Sequence, residues 1–344
     1  MSLGASAKNG IMGALQAVQA DRFAAGYRNK RLFIACYHGV ISERAPGGPG
    51  DLYYDSVIRQ EFEQQLIRLG NWYRFVDLAG AAEWLDSGSD NERPPALITF
   101  DDGYRNNVSV AAPILRKLGI PAVFFLTTNY VGTRRILWPT EIGARIEQSA
   151  GASVPVPGDH AGAMVPTDNV ARNQLGQRIR SLCKALPNRE RLEYLDRLRN
   201  ITQLDAGKAD AEINAFMSWE EARQLAAMGF DIGSHTMEHP ILARLDSHDL
   251  KSELRGSKAK IEAELGRPVH ALAYPNGGTG DFDKTVMDEA ARAGYGYAFA
   301  VGDRLHSRAD SRMAIKRMII PGQSPDALFH FIVTGCRDIC RGGQ

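Results

Sequence analysis

The chain has 344 residues, 44% of them hydrophobic and 24% charged, a balance that excludes a mainly disordered protein. Its 41 basic and 40 acidic side chains leave a formal net charge of +1, which gives no electrostatic case for nucleic acid or a polyanionic surface as partner. The length admits one large α/β barrel or two smaller domains.

From the N-terminus, Ile11 to Tyr27 (IMGALQAVQADRFAAGY) is broken by Gln, Asp and Arg. A secretory apolar segment needs an unbroken run of roughly 7–15 residues, and a spanning helix about 20. Neither is visible, so a cytoplasmic location without a transmembrane segment is expected. Leu32 to Cys36 reads as a buried strand, and Tyr37-His38-Gly39-Val40 follows it at once. Arg44 to Asp51, rich in Pro and Gly, reads as a loop. Phe62, Leu66 and Leu69 recur at helical spacing and predict a helix over Arg59 to Leu69. Phe75 to Leu78 suits a short strand and Ala79 to Leu85 a helix. Ala96 to Phe100 (ALITF) is a buried strand running into Asp101-Asp102-Gly103-Tyr104. A helix over Val108 to Leu118 and a strand over Ala122 to Thr127 complete a β-α-β alternation, which predicts parallel strands under covering helices.

Between about residues 132 and 216 strand-like runs vanish, and a Gly-, Pro- and Ala-rich loop (Gly151 to Pro166) separates two helical stretches. This reads as a helical insertion, a candidate lid, within a single domain covering 1–344. The alternation then resumes. It gives a helix at Trp219 to Met228, a strand at Phe230 to Gly233 and a helix at Leu250 to Leu265. Strands follow at Val269 to Tyr274, Tyr297 to Val301 and Arg317 to Ile320, with a helix at Thr285 to Ala293 and a closing helix within Ser324 to Cys340. The four cysteines, Cys36, Cys183, Cys336 and Cys340, form no CxxC pair and read as free thiols.

Two clusters carry chemistry. Asp101 and Asp102 are adjacent carboxylates at a strand exit, where one can bind a cation while the other takes a proton; a lone Asp-Asp-Gly would more often be a turn or helix cap. The second is Ser234-His235-Thr236-Met237-Glu238-His239-Pro240, again just past a strand. Imidazoles at i and i+4 fall on one face of a helical turn and present two nitrogen ligands side by side. Catalytic zinc takes three protein ligands and keeps a position open. The order HTMEH is not the HExxH of zinc proteases, so Glu238 is not its base. Barrel enzymes gather catalytic residues at the C-terminal ends of their strands. Both clusters sit at such ends, which predicts a site of two His and one Asp with a spare Asp.

TFDDGY followed by SHTMEH resembles the polysaccharide deacetylase family, the chitin-deacetylase-like carbohydrate esterases, from Arg31 to about Gly322 apart from the insertion. The resemblance implies a distorted (β/α) barrel with fewer than eight strands, a divalent metal, in the first place Zn2+, and an N-acetylated sugar as substrate. Asp101 then corresponds to the general base, and Asp102, His235 and His239 to the metal ligands. The family's Arg-Pro-Pro-Tyr-Gly segment stands here as Ala273-Tyr274-Pro275-Asn276-Gly277. Ala273 replaces the Arg that steadies the base, while Asn276 can still offer the backbone N–H that binds the oxyanion. The Ala-Tyr-Pro-Asn-Gly form, together with Tyr37-His38-Gly39-Val40, resembles a subgroup tied to bacterial surface polysaccharides. Tyr104, Tyr274 and Pro275 are expected at the substrate. The family's late Leu-x-His is absent from Met313 to Gly322, which leaves His306 and His38 as candidates for the general acid. His160, His248, His270 and His330 lack such a context. Rival readings are an amidase or deformylase on the same fold, a non-catalytic carbohydrate-binding barrel, and a metal-stabilised structural protein.

Overall fold

The computed structural model describes residues 25–43, 56–87, 93–204, 214–320 and 326–335. Cys336 and Cys340, the Arg44 to Asp51 loop, most of Ile11 to Tyr27 and the side chain of His160 lie outside the described residues. The first half runs β1 (Phe33–Tyr37), β2 (Val40–Ile41), β3 (Val57–Ile58), α1 (Arg59–Trp72), β4 (Arg74–Phe75), α2 (Leu78–Ser87), β5 (Pro95–Phe100), α3 (Ala112–Leu118) and β6 (Ala122–Leu126). The insertion holds α4 (Trp138–Gln148), β7 (Ser153–Val156), β8 (Asp159–Met164), α5 (Asn169–Ala185) and α6 (Asn188–Ile201). The chain returns through α7 (Trp219–Ala227), β9 (Asp231–Ser234), α8 (Ser247–Leu265), β10 (Ala271–Ala273), α9 (Lys284–Arg292), β11 (Tyr297–Val301), β12 (Ile315–Ile319) and α10 (Asp326–Val333).

Seven parallel strands close on themselves in the order β1-β12-β11-β10-β9-β6-β5, because β1 pairs with both β12 and β5. Short β4 adds to the first residues of β5. The expectation of a barrel with fewer than eight strands therefore holds. Its thinnest seam joins β9 to β10, where Ser234 opposite Leu272 is the one paired register. Successive side chains of a strand alternate between faces. Ile34, Leu97, Val123, Phe125, Ala271, Phe299 and Ile315 pack together inside the barrel. Phe33, Ala35, Ile98, Phe100 and Phe124 turn outward to the helices. Each buried Val, Leu, Ile or Phe among them contributes about 1.5–3 kcal/mol relative to exposure. The inward faces then continue upward by twos: Leu97 and Thr99 lead to Asp101, Ile34 leads to Cys36, and Ile315 leads to Arg317.

The insertion departs from the purely helical expectation. The stretch read as a loop from Gly151 to Pro166 contains an antiparallel hairpin, β7 against β8, with Val156 opposite Asp159. Pro157-Gly158 makes its two-residue turn, with Gly158 at φ 76°. Val154 and Val156 alternate into a separate core with Ile142, Ile146, Ile179, Tyr194 and Leu198. Gly162 and Ala163, both poor strand formers, hid this alternation. No helix among the described residues is long and apolar enough to cross a membrane.

β9 approaches β6 closely enough that a Cβ at Gly233 would lie 2.4 Å from Cδ1 of Phe125. Overpacking of this kind costs about 1–3 kcal/mol. Gly233→Ala is therefore expected to lower the unfolding free energy by that amount, seen in urea as a lower midpoint; an unchanged midpoint would show that the β6–β9 seam tolerates a side chain.

Candidate active site

Asp101 and Asp102 are both buried, at 3% and 5% exposure. Alternation would send them to opposite faces, but Asp102 adopts φ 72°, in the left-handed region. That turn brings the second carboxylate round to the barrel mouth beside the first. Thr236 (φ 68°), His239 (φ 54°) and Asn276 (φ 59°) share this conformation, and all four residues line or adjoin one cavity. Each such residue costs of order 1–3 kcal/mol and persists only where its surroundings impose it.

The histidines do not sit on a helical turn, as their spacing suggested. Ser234 to Pro240 leaves the end of β9 as an irregular loop. His239 N–H donates to Thr236 Oγ1 (3.1 Å), and Glu253 of α8 accepts from Met237 N (2.7 Å) and Glu238 N (3.0 Å). The loop so held sets the two imidazole rings 4.9 Å apart. Glu238 points away to Arg135 and Asn129.

Nε2 of His235 and Nε2 of His239 each lie 3.5 Å from Asp102 Oδ1. Among the described residues this is the buried group of metal-type ligands, with its atoms within 4.8 Å of one another. His235 Nδ1 lies 2.8 Å from the carbonyl of Ala273, to which it donates. That bond fixes the neutral tautomer and leaves a lone pair on Nε2. A lone pair facing a carboxylate oxygen is repulsive unless a cation lies between them. Asp102 Oδ1 is buried without a hydrogen-bond partner, as such a ligand atom would be. Ligands about 2.0–2.1 Å from a tetrahedral zinc ion stand roughly 3.4 Å apart, which the observed separations match. The triad fits a divalent metal.

Asp101 is held by the one group that the sequence reading did not find. Arg317 of β12, fully buried, donates Nη1 to Oδ1 (2.6 Å) and Nη2 to Oδ2 (2.7 Å). Cys36 Sγ lies 3.5 Å from Oδ2, and His235 Nε2 lies 4.0 Å away. Burial alone would raise the Asp101 pKa, but the charge and the hydrogen bonds of Arg317 outweigh it and hold the carboxyl well below the usual range. Burial dominates at Asp102 and raises it. The steadying Arg missing at Ala273 is thus supplied from another strand. A charged residue on the inward register of Ile315-Lys316-Arg317-Met318-Ile319 was its only signal in the sequence.

The cavity measures about 150 Å³ and is lined by His38, Asp101, Asp102, Tyr104, His235, His239 and Asn276 from the barrel, with Leu137, Pro139 and Thr140 from the insertion. The structure thereby brings together most of the expected site residues. Three expectations, at His306, Tyr274 and Pro275, require correction. His306 is buried, bridges to Leu32 at the N-terminal end of β1 and lies 3.6 Å from Asp310. It sits at the opposite end of the barrel from the cavity, because its segment returns beneath β12 before that strand begins. Tyr274 also turns away. Its ring stacks on Phe282 at 4.3 Å and its hydroxyl donates to the Met313 carbonyl (2.8 Å). Pro275 is buried and does not line the cavity; it shapes the turn that carries Asn276. Cys36 and Cys183 are free and buried, as expected of thiols outside metal sites.

Comparison with known proteins agrees with this geometry. The family model for polysaccharide deacetylase matches residues 88–298. YxkH of Bacillus subtilis (strain 168), named as a candidate polysaccharide deacetylase, is 21% identical over 304 residues, which is 88% of this chain and 76% of that protein. The Streptococcus pyogenes deacetylase PplD, solved in complex with acetate, superposes with a TM-score of 0.57 at 18% identity over 88% of this chain and 98% of that one. IcaB from Ammonifex degensii gives 0.54 at 19% identity over 90% and 97%.

Removing one partner of a buried ion pair typically costs about 3–5 kcal/mol, because the other charge stays buried alone. Arg317→Ala should destabilise the protein by that amount, and adding Asp101→Asn should recover part of the loss. Equal losses in the single and double variants, measured by chemical unfolding, would show that the pair does not couple.

Proposed function

The chain belongs to the polysaccharide deacetylase family, and we propose that it hydrolyses the N-acetyl group of an amino sugar in a metal-dependent reaction. The observation that carries this reading is the juxtaposition at one cavity of a three-ligand metal triad and a separate, arginine-held carboxylate. Asp102, His235 and His239 would hold the ion, zinc being the choice that best suits two nitrogens and one carboxylate oxygen. Bound there, such an ion supplies Lewis acidity, which lets water ionise near neutral pH and draws charge from an acetamide carbonyl.

The chain's own residues do the rest. Asp101 is ionised at neutral pH, and its Oδ2 lies beside the ligand cluster, so it accepts the proton of the attacking water. Arg317 holds that carboxylate in one orientation by two parallel hydrogen bonds. Asn276, fixed at positive φ, offers its backbone N–H to the developing oxyanion; loss of one such donor typically costs about 10²–10³ in rate. His38, at the exit of β1 on the cavity wall, protonates the leaving amine. Tyr104 closes the wall next to Asp102. The products are acetate and a free amino sugar.

The test is acetate release from N-acetylglucosamine and its oligomers, on protein stripped by a chelator and restored with zinc. Turnover should return with the metal. Asp101→Asn should keep the metal yet lose most of the turnover, whereas His235→Ala should lose the metal itself. His38→Gln should lower kcat by about 10²–10⁴, the usual contribution of a positioned acid. A near-native rate in either Asp101→Asn or His38→Gln would remove that residue from the mechanism.

A further inference from the structure

We propose that Arg191 and Trp138 of the insertion, neither of which lines the cavity, are positioning residues that set how tightly His239 holds the metal. Both act on the triad of Asp102, His235 and His239, on whose reading as metal ligands this rests.

The two imidazoles are not secured in the same way. A histidine that binds a metal almost always donates its other ring N–H to an acceptor, which fixes the ring. His235 does so, through Nδ1 to the Ala273 carbonyl (2.8 Å). His239 does not: its Nδ1 is buried without a hydrogen-bond partner. The orientation of this ring therefore depends on its backbone, which stands at φ 54°. Two side chains grip that backbone. Thr236 Oγ1 accepts from the N–H (3.1 Å), and the indole Nε1–H of Trp138 donates to the carbonyl (3.0 Å). Thr236 belongs to the same loop and moves with it. Trp138, the first residue of α4, anchors His239 from outside that loop.

Arg191, on α6, fixes the anchor. Its guanidinium carbon lies 4.9 Å from the centroid of the Trp138 ring, inside the about 6 Å over which a cation is drawn to a π face. Both residues are 3% exposed. Nη2 of Arg191 donates to Asn188 Oδ1 (2.6 Å), while Nε and Nη1 are buried without a hydrogen-bond partner. Burial lowers its pKa to about 10, which still leaves it a cation at neutral pH. A buried charge so poorly partnered is a burden on the fold, and an apolar side chain of similar size would be tolerated better there. Its action on the indole accounts for it. A cation over the ring face holds the indole plane and draws electron density from it, so that the N–H donates more strongly. The contacts run unbroken from α6 through α4 to the ligand loop: guanidinium, indole, His239 carbonyl.

The experiment measures zinc dissociation constants of the full chain by chelator competition, beside urea unfolding of the metal-free protein. Trp138→Phe keeps a ring and deletes the N–H. It should weaken zinc binding about tenfold, the lower end of what the outer partners of metal ligands contribute. Arg191→Met should weaken binding by about threefold or more, while the metal-free protein unfolds at an equal or higher urea midpoint because the buried charge is gone. A merely structural residue would lose affinity and stability together. Because Arg191 acts through the indole, adding Arg191→Met to Trp138→Phe should weaken zinc binding no further. Native zinc affinity in Trp138→Phe or in Arg191→Met, a lowered midpoint accompanying the loss in Arg191→Met, or additive losses in the double variant would each overturn the proposal and leave the ligand reading standing. Failure of the unaltered protein to bind zinc would overturn both.

Discussion

Two adjacent carboxylates are buried at the mouth of a closed barrel, and the surrounding structure is organised by the need to compensate them. An isolated buried charge is so costly that such a group ordinarily neutralises or finds a partner. Asp101 and Asp102 find different ones. Arg317 reaches Asp101 from β12, across intervening β1, and satisfies both oxygens at once. Asp102 faces two imidazoles, one of which has its tautomer fixed by the Ala273 carbonyl. A carboxylate and imidazole lone pairs directed at one point amount to a cation site. The division of labour between the two aspartates follows from these partners: one is locked as an anion by a permanent cation, and the other is left to bind a metal.

The second constraint is backbone geometry. A parallel barrel delivers inward side chains only at every second position, too sparse to build this cluster. The chain meets the requirement by leaving the strand conformation at Asp102, Thr236, His239 and Asn276. These positions lie after β5, β9 and β10, at the strand ends where loops can depart from regular pairing. The strain stored there, of order 1–3 kcal/mol at each residue, is tolerated because helix α8, through Glu253, and the insertion, through Trp138, hold the metal-binding loop from two sides. The insertion thus both supports the site and bounds it.

Much of this was legible in the residues. The apolar runs ALITF and AVFFL located β5 and β6, and the β-α-β alternation anticipated the parallel barrel. The Asp-Asp pair and the two histidines four apart marked the site because both followed strands. Spacing misled in detail: the histidines converge through a strained loop and not on a helix. The hairpin at Ser153 to Met164 was missed because Pro, Gly and Ala obscure its two-residue period. Arg317 was missed because a buried ion pair joins residues 216 positions apart, a relation no local pattern carries. His306 was misplaced since sequence does not say at which end of a barrel a loop residue lies, whereas His38, on the exit of the first strand, could lie only at the mouth.

The central claim is that Asp102, His235 and His239 bind one divalent ion. X-ray absorption at the zinc edge of zinc-restored protein tests it most directly. The account predicts a nitrogen and oxygen shell at about 2.0–2.2 Å with imidazole scattering, lost in His235→Ala. A sulfur shell near about 2.3 Å would implicate Cys36 in its place, and zinc that is retained unchanged in His235→Ala would contradict the assignment outright.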